Sequence, residues 1–232
     1  MCVEYVNVKS NQRLIARFGM DPPPTDFKPA VFPLDLAPMI RRPREAAAAA
    51  PQRECLAAVF GLIPHWSKDK KIARKTYNAR TETVAERPSY RNAWRKSQFC
   101  IVPMEAFYEP NWETGKAVRW RIGLASGEPL GVAGIWEWWP GAGEGPVLSF
   151  SMLTINATAH SLMSRFHGPD EEKRMLVVLE PSQFDDWLTS SPADAAGFFR
   201  PYPADLMTAA PDPRPAKPRP PTPKPGARAA AS

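Results

Sequence analysis

Along the middle of the chain apolar side chains come in short bursts, each closed by a turn-like segment. CLAAVFGLI (55–63), QFCIVPMEAFYE (98–109), AVRWRIGLA (117–125), PLGVAGIWEWW (129–139) and VLSFSMLTI (147–155) read as strands, with ETGK, ASGEP and GAGEGP as turns among them. RMLVVLE (174–180) returns as a further strand. Helical spacing predicts a short helix over 11–19 ending at Gly19, and helical stretches at 68–86 and 158–166. Another begins in PSQFDDWLTS with Ser182 as N-cap. Residues 21–45 (DPPPTDFKPAVFPLDLAPMIRRPRE) carry too many prolines for regular elements and are expected to wrap irregularly over the core. The alanine run 46–50 before Pro51 predicts a solvent loop or a short helical turn.

Strands dominate and helices interrupt them irregularly, without βαβ alternation. The expected class is therefore α+β: a single domain over residues 1–200 around a mostly antiparallel, barrel-like sheet with inserted helices. Residues 201–232 form a Pro/Ala-rich basic tail, expected to be disordered because it holds too little apolar surface to fold.

Composition narrows this picture. The 232 residues suffice for one sizeable core, and eight Trp and eleven Phe exclude wholesale disorder. No apolar run approaches the ~20 residues of a membrane span, and the polar start MCVEYVNVKSNQR does not read as a signal peptide. Cys2, Cys55 and Cys100 have neither disulfide-framework nor zinc spacing, so a reduced, cytoplasmic protein without metal or organic cofactor is expected. The net charge is +6, but from Pro211 onward five basic residues and one acid supply +4 of it. The basic balance is thus mainly a property of the tail, which is open to three uses: contact with DNA, recruitment of another protein, or solubility.

Four stretches place polar groups where a purely structural sequence has no need of them: FGLIPHW (60–66), YNARTET (77–83), EAFYEP (105–110) and SRFHGPDEEKRMLVVL (164–179). Each has an ordinary explanation by itself, such as a capped helix surface, a solvated strand rim or a structural histidine. Together with Cys2 behind the initiator methionine they assemble a nucleophile, an amide (Asn78), a carboxylate (Glu109) and an imidazole (His167). That set suits covalent chemistry at a carbonyl carbon.

In this combination the chain resembles the SOS response-associated peptidase (SRAP) family of abasic-site processing proteins. The resemblance rests on Met1-Cys2, FGLIPHW, NARTE (78–82), CIVPMEAFYEP (100–110) and His167 followed by KRM (173–175), in family order over residues 1 to about 190. Departures are Val3-Glu4 for Gly-Arg, Phe60 and Pro110 for tryptophans, Ala106 for glycine, and a GPDEEK segment that lengthens the His167-to-Arg174 spacing. A monomer is the default expectation, and the resemblance implies that it binds single-stranded DNA carrying abasic sites. Once Met1 is removed, the amine and thiol of Cys2 would close a thiazolidine with the abasic aldehyde, acting in the cytoplasm at the nucleoid. Asn78 would orient Cys2, Glu109 would act as general acid/base, and His167 would protonate the sugar ring oxygen or assist reversal. Arg80, Trp66, Pro38, Lys71 and Arg74 form the candidate DNA-binding set, the last two within KDKKIARK (68–75). For Arg80 the alternative is a pairing with Glu82 or another acid, for Trp66 core packing, and for the lysine-rich run a solvated helix face. A Cys2-dependent peptidase and a non-catalytic single-strand binder are the competing readings of function.

Overall fold

Alternating apolar positions and glycine-bearing turns yield thirteen strands among the described residues of this computed structural model, namely 2–43, 53–141, 143 and 145–215. In chain order they are β1 (Tyr5–Val6), β2 (Ala30–Val31), β3 (Leu36–Arg41), β4 (Glu54–Phe60) and β5 (Asn78–Arg80). Then come β6 (Phe99–Met104), β7 (Ala106–Asn111), β8 (Val118–Leu124), β9 (Leu130–Trp139) and β10 (Val147–Asn156). β11 (Arg174–Leu176), β12 (Val178–Leu179) and β13 (Met207–Pro211) complete the set. Helices α1 (Asn11–Phe18), α2 (Arg91–Arg95) and α3 (Phe184–Thr189) are inserted between them.

Strand pairing closes a five-stranded barrel in the order β10-β4-β3-β6-β9 and back to β10. Its pairs are antiparallel except β4 with β10, and β5 adds to β10 in parallel as well. A second, wholly antiparallel sheet runs β13-β8-β7-β1-β2. The α+β class and the mostly antiparallel barrel expected from the sequence are what the chain adopts. Phe60, Phe150, Phe99 and Trp187 fill the interior, with Phe60 stacked on Phe150 and Phe99 on Trp187. No helix among the described residues is long and apolar enough to cross a membrane.

Helix α1 forms as its sequence dictates. Ser10 accepts a hydrogen bond from the Arg13 amide at its start, and Gly19 ends it in the left-handed conformation at φ 69°. Its apolar face carries Leu14 and Phe18 inward, where Phe18 stacks on Phe184 of α3.

Elsewhere non-local partners override local pattern. The run 98–109 is not one strand: it breaks at Glu105, passing from the barrel (β6) to the second sheet (β7). Glu105 is held there by the Lys9 amide at 3.0 Å and the Arg13 guanidinium at 2.9 Å, groups more than ninety residues away in sequence. Within 68–86 only Lys70–Lys75 is helical, as a 3-10 segment, and Asn78–Arg80 is a strand because β10 offers it a ladder at Met152–Thr154. The 158–166 helix reduces to Met163–Arg165, and 174–180 splits so that β11 meets β10 while β12 meets β9. Ser182 lies inside a 3-10 turn whose cap is Glu180, paired reciprocally with Gln183. The proline-rich stretch 21–45 contains β2 and β3, and Pro38 is buried in the middle of β3 opposite Ala57.

The boundary expected at residue 200 also shifts. Met207–Pro211 lie antiparallel on β8, with Met207 opposite Leu124 and Pro211 opposite Trp120. Proline is tolerated because β13 is the edge strand. The alanine run 46–50 and residues 216–232 lie outside the described residues.

Candidate active site at the N-terminal cysteine

Three segments converge on Cys2. β7 carries Glu109, β5 carries Asn78, and the loop before β11 carries His167. The N-terminal segment reaches them by pairing β1 with β7, Tyr5 opposite Phe107, while the Tyr108 amide donates to the Glu4 carbonyl at 3.0 Å. Cys2 is fully buried, and its thiol donates to the Glu4 carbonyl over 3.4 Å.

Asn78 holds the backbone of Cys2: its Nδ2 donates to the Cys2 carbonyl at 2.8 Å. The residue is fixed in turn by its ladder to β10 and by the Tyr90 hydroxyl, which donates to the Asn78 carbonyl at 3.0 Å. His167 Nε2 lies 3.2 Å from Glu109 Oε2, and both side chains are almost wholly buried. His167 has φ 68°, a left-handed backbone that a histidine adopts at a cost of roughly 1 kcal/mol. Its amide donates to the Pro110 carbonyl at 2.9 Å, which ties the strained residue to the end of β7 beside Glu109. The two faces of the pair are therefore brought together by backbone bonds, not by chance packing.

Among the described residues, Asn78 Oδ1 and His167 Nδ1 of this buried group have no hydrogen-bond partner. Burial pushes the Cys2 thiol far above its ordinary range, and the Glu109 carboxylate raises it further; backbone contacts at Glu4 and Tyr108 only partly offset this. The resting sulfur is thus a neutral thiol that needs a base to become nucleophilic. Tyr77, half-buried, is raised first by burial and then by its neighbours Cys2 and Glu109, so it borders the same space. Phe60, where the family pattern has tryptophan, packs edge-on to Tyr5 and Tyr77 and preserves an aromatic wall.

Glu4, two residues beyond Cys2, does not load the site with free negative charge. Its oxygens are gripped by Arg119 Nη2 at 2.8 Å and Nε at 3.2 Å, with Arg214 on Oε2. Arg119 also stacks over Tyr108 and donates to the Asp212 carbonyl at 2.7 Å, so the segment after β13 is locked onto the N-terminal strand.

Beside this group, sharing His167 and Tyr77 with it, lies a cavity of about 360 Å³ lined also by Arg80, Glu171, Glu172 and Arg174. Arg80 is exposed here and pairs with Glu172 at 2.7 Å, while Glu82 goes to Arg174 at 2.8 Å instead. Trp66 is 51% exposed with its indole N–H on the Pro88 carbonyl, so it lies at the surface and not in the core. Lys71 and Arg74 are exposed on the 3-10 segment. Pro38 is removed from the candidate contacts by its burial in β3. Sequence reasoning gave Tyr77 and Arg174 no role; the position of Tyr77 beside Asn78 and the KRM run were the available signals.

Cys2, fully buried and held by the Asn78 amide in one cluster with the Glu109–His167 pair on an α+β barrel, defines the class of this protein. Comparison with known proteins gives that class its family. The chain belongs to the SOS response associated peptidase (SRAP) family, whose profile matches residues 1–212. It is similar to the abasic site processing protein YoqW of Bacillus subtilis, 34% identical over 154 residues, 65% of each chain. It is likewise similar to YoaM of the same organism, an abasic site processing protein 33% identical over 154 residues, 65% of this chain and 64% of that protein. The match thus spans less than two thirds of these relatives' length. A crystal structure from Bordetella bronchiseptica superposes with a TM-score of 0.83 at 38% identity, covering 91% of this chain and 99% of that one.

Proposed function

We propose that this protein processes abasic sites in single-stranded DNA by forming a covalent thiazolidine through Cys2 after loss of Met1. The observation that carries the reading is the grip of Asn78 on the Cys2 carbonyl, 2.8 Å long, in a pocket that also holds the Glu109–His167 pair. The names of the Bacillus relatives support the substrate class.

In this scheme the ring-opened abasic sugar presents an aldehyde. The α-amine adds to its carbon, one water leaves, and an imine forms. The thiol then adds to the imine carbon; a carbon–sulfur bond forms and the thiol proton passes to nitrogen, closing a five-membered ring. An α-amine titrates near ~7.7–8.0, so a useful fraction is neutral at neutral pH. Joining amine and thiol on one residue makes the second addition intramolecular. Glu109 takes the thiol proton and returns it to nitrogen, and His167 supplies the proton for ring opening of the sugar. Asn78 holds the residue-2 backbone so that both nucleophiles face one carbon. Arg80 binds a flanking phosphate, Trp66 stacks on a base, and Lys71 and Arg74 extend the phosphate track.

The test is a denaturing gel of protein incubated with a single-stranded oligonucleotide bearing one abasic site. A covalent band that is lost in Cys2→Ala and forms at least tenfold more slowly in Glu109→Gln is expected. No band with protein shown to lack Met1, or a band undiminished in Cys2→Ala, overturns the reading.

A further inference from the structure

The mouth of the cavity contains an arrangement the mechanism above does not use. One carboxylate, that of Glu172, bridges two guanidiniums: Oε2 lies 2.7 Å from Arg80 Nη1 and Oε1 lies 2.6 Å from Arg174 Nη1. Asn156 Nδ2 adds a third donor on Oε1 at 3.1 Å. Arg174 is fixed in place, 2% exposed, with Thr154 on Nε and Nη2 and Glu82 on Nη2 and, at 3.1 Å, on the same Nη1 that meets Glu172. Arg80 and Glu172 are by contrast 48% and 35% exposed, so one side of the bridge faces solvent. Glu172 sits in the GPDEEK segment that lengthens the chain between His167 and Arg174.

Two guanidiniums and an amide converging on two oxygens form a seat for a tetrahedral or planar oxyanion. The arginine forks face the same cavity as His167. We propose that Glu172 is an internal occupant of this seat, and that a backbone phosphate of the bound strand displaces its carboxylate from between Arg80 and Arg174. Glu172 then sets affinity: every strand that enters must break two ion pairs to make its own. The carboxylate is held below its usual range by Asn156 and then by Arg174 and Arg80, so it stays charged and competes at neutral pH. This inference rests on the proposed function for the identity of the ligand.

The experiment measures binding of an undamaged, labelled single-stranded oligonucleotide by fluorescence anisotropy across a salt series, for wild type, Glu172→Gln and Glu171→Gln. Glu171 lines the same cavity but accepts from the Gly168 amide at 2.8 Å and does not bridge the arginines, so it controls for net charge. Breaking partly exposed pairs is a modest term, so Glu172→Gln is expected to bind about threefold to tenfold more tightly. Because a phosphate takes the seat in both proteins, the log–log salt slope is expected to stay unchanged within error while the affinity rises. Inorganic phosphate at matched ionic strength should compete with the oligonucleotide more strongly in Glu172→Gln than in wild type. Unchanged affinity in Glu172→Gln, or an equal gain in Glu171→Gln, overturns the seat. If wild type still crosslinks an abasic oligonucleotide in that case, the proposed function stands without it. If wild type neither binds nor crosslinks, both fall together.

Discussion

Replacing Glu4 by glutamine is the sharpest probe of how the N-terminal segment is held. The Glu4 side chain is 6% exposed and both its oxygens are bonded to Arg119, itself 22% exposed. Arg214 adds a contact but is 61% exposed, so solvent screening reduces its share to a few tenths of a kcal/mol. Hydrogen bonds to a charged group contribute about 1.5–3 kcal/mol, and glutamine keeps one acceptor, so Glu4→Gln is expected to lose about 2 kcal/mol at neutral pH. For a domain of this size that is a fall in Tm of about 4–8 °C. Burial alone would raise the Glu4 carboxyl, but Arg119 and Arg214 outweigh it and hold it below its ordinary range. A carboxylate depressed in the folded state stabilises above its unfolded pKa, near ~4.3, and the stabilisation is lost as pH falls through the folded value. The gap between wild type and Glu4→Gln should therefore be full at about pH 7 and shrink steadily toward about pH 3. Urea denaturation followed by tryptophan fluorescence reads both quantities. Equal midpoints at neutral pH, or a gap that does not narrow on acidification, refute the clamp.

Two further substitutions test other parts of the account. Gly61 has φ 100°, and a Cβ there would lie 2.2 Å from the Ala73 carbonyl oxygen, so Gly61→Ala should destabilise by about 3 kcal/mol or more, measured as a lower urea midpoint. A midpoint within error of wild type would contradict the close approach. Asn78→Ala should slow crosslinking by about tenfold to a hundredfold through a misplaced Cys2, with oligonucleotide affinity unchanged; an equal loss of affinity would instead assign Asn78 to binding.

Much of this was legible in the sequence because the decisive features are local. Gly19 and Ser10 bound α1 by their own conformational preferences, and Cys2, Asn78, Glu109 and His167 each stand in a distinctive stretch. What escaped depends on distant partners. The break at Glu105 interrupts an apolar run that has no local reason to end; Lys9 and Arg13 impose it. Asn78–Arg80 looks helical by composition and becomes a strand only because β10 presents an open ladder beside it. Met207–Pro211 read as tail because prolines surround it, yet an edge position on β8 accepts them. The pairing of Arg80 with Glu172 and of Arg174 with Glu82 is invisible to spacing, since two arginines and two acids within one region admit either exchange.

The central claim is that residue 2, freed of Met1, captures the abasic aldehyde. Intact mass spectrometry of the denatured adduct tests it most directly. The account predicts one species equal to the Met1-free protein plus the abasic oligonucleotide less one water, with the added mass confined on digestion to the peptide beginning at Cys2. An adduct formed while Met1 is still attached, or located on any other residue, would contradict it.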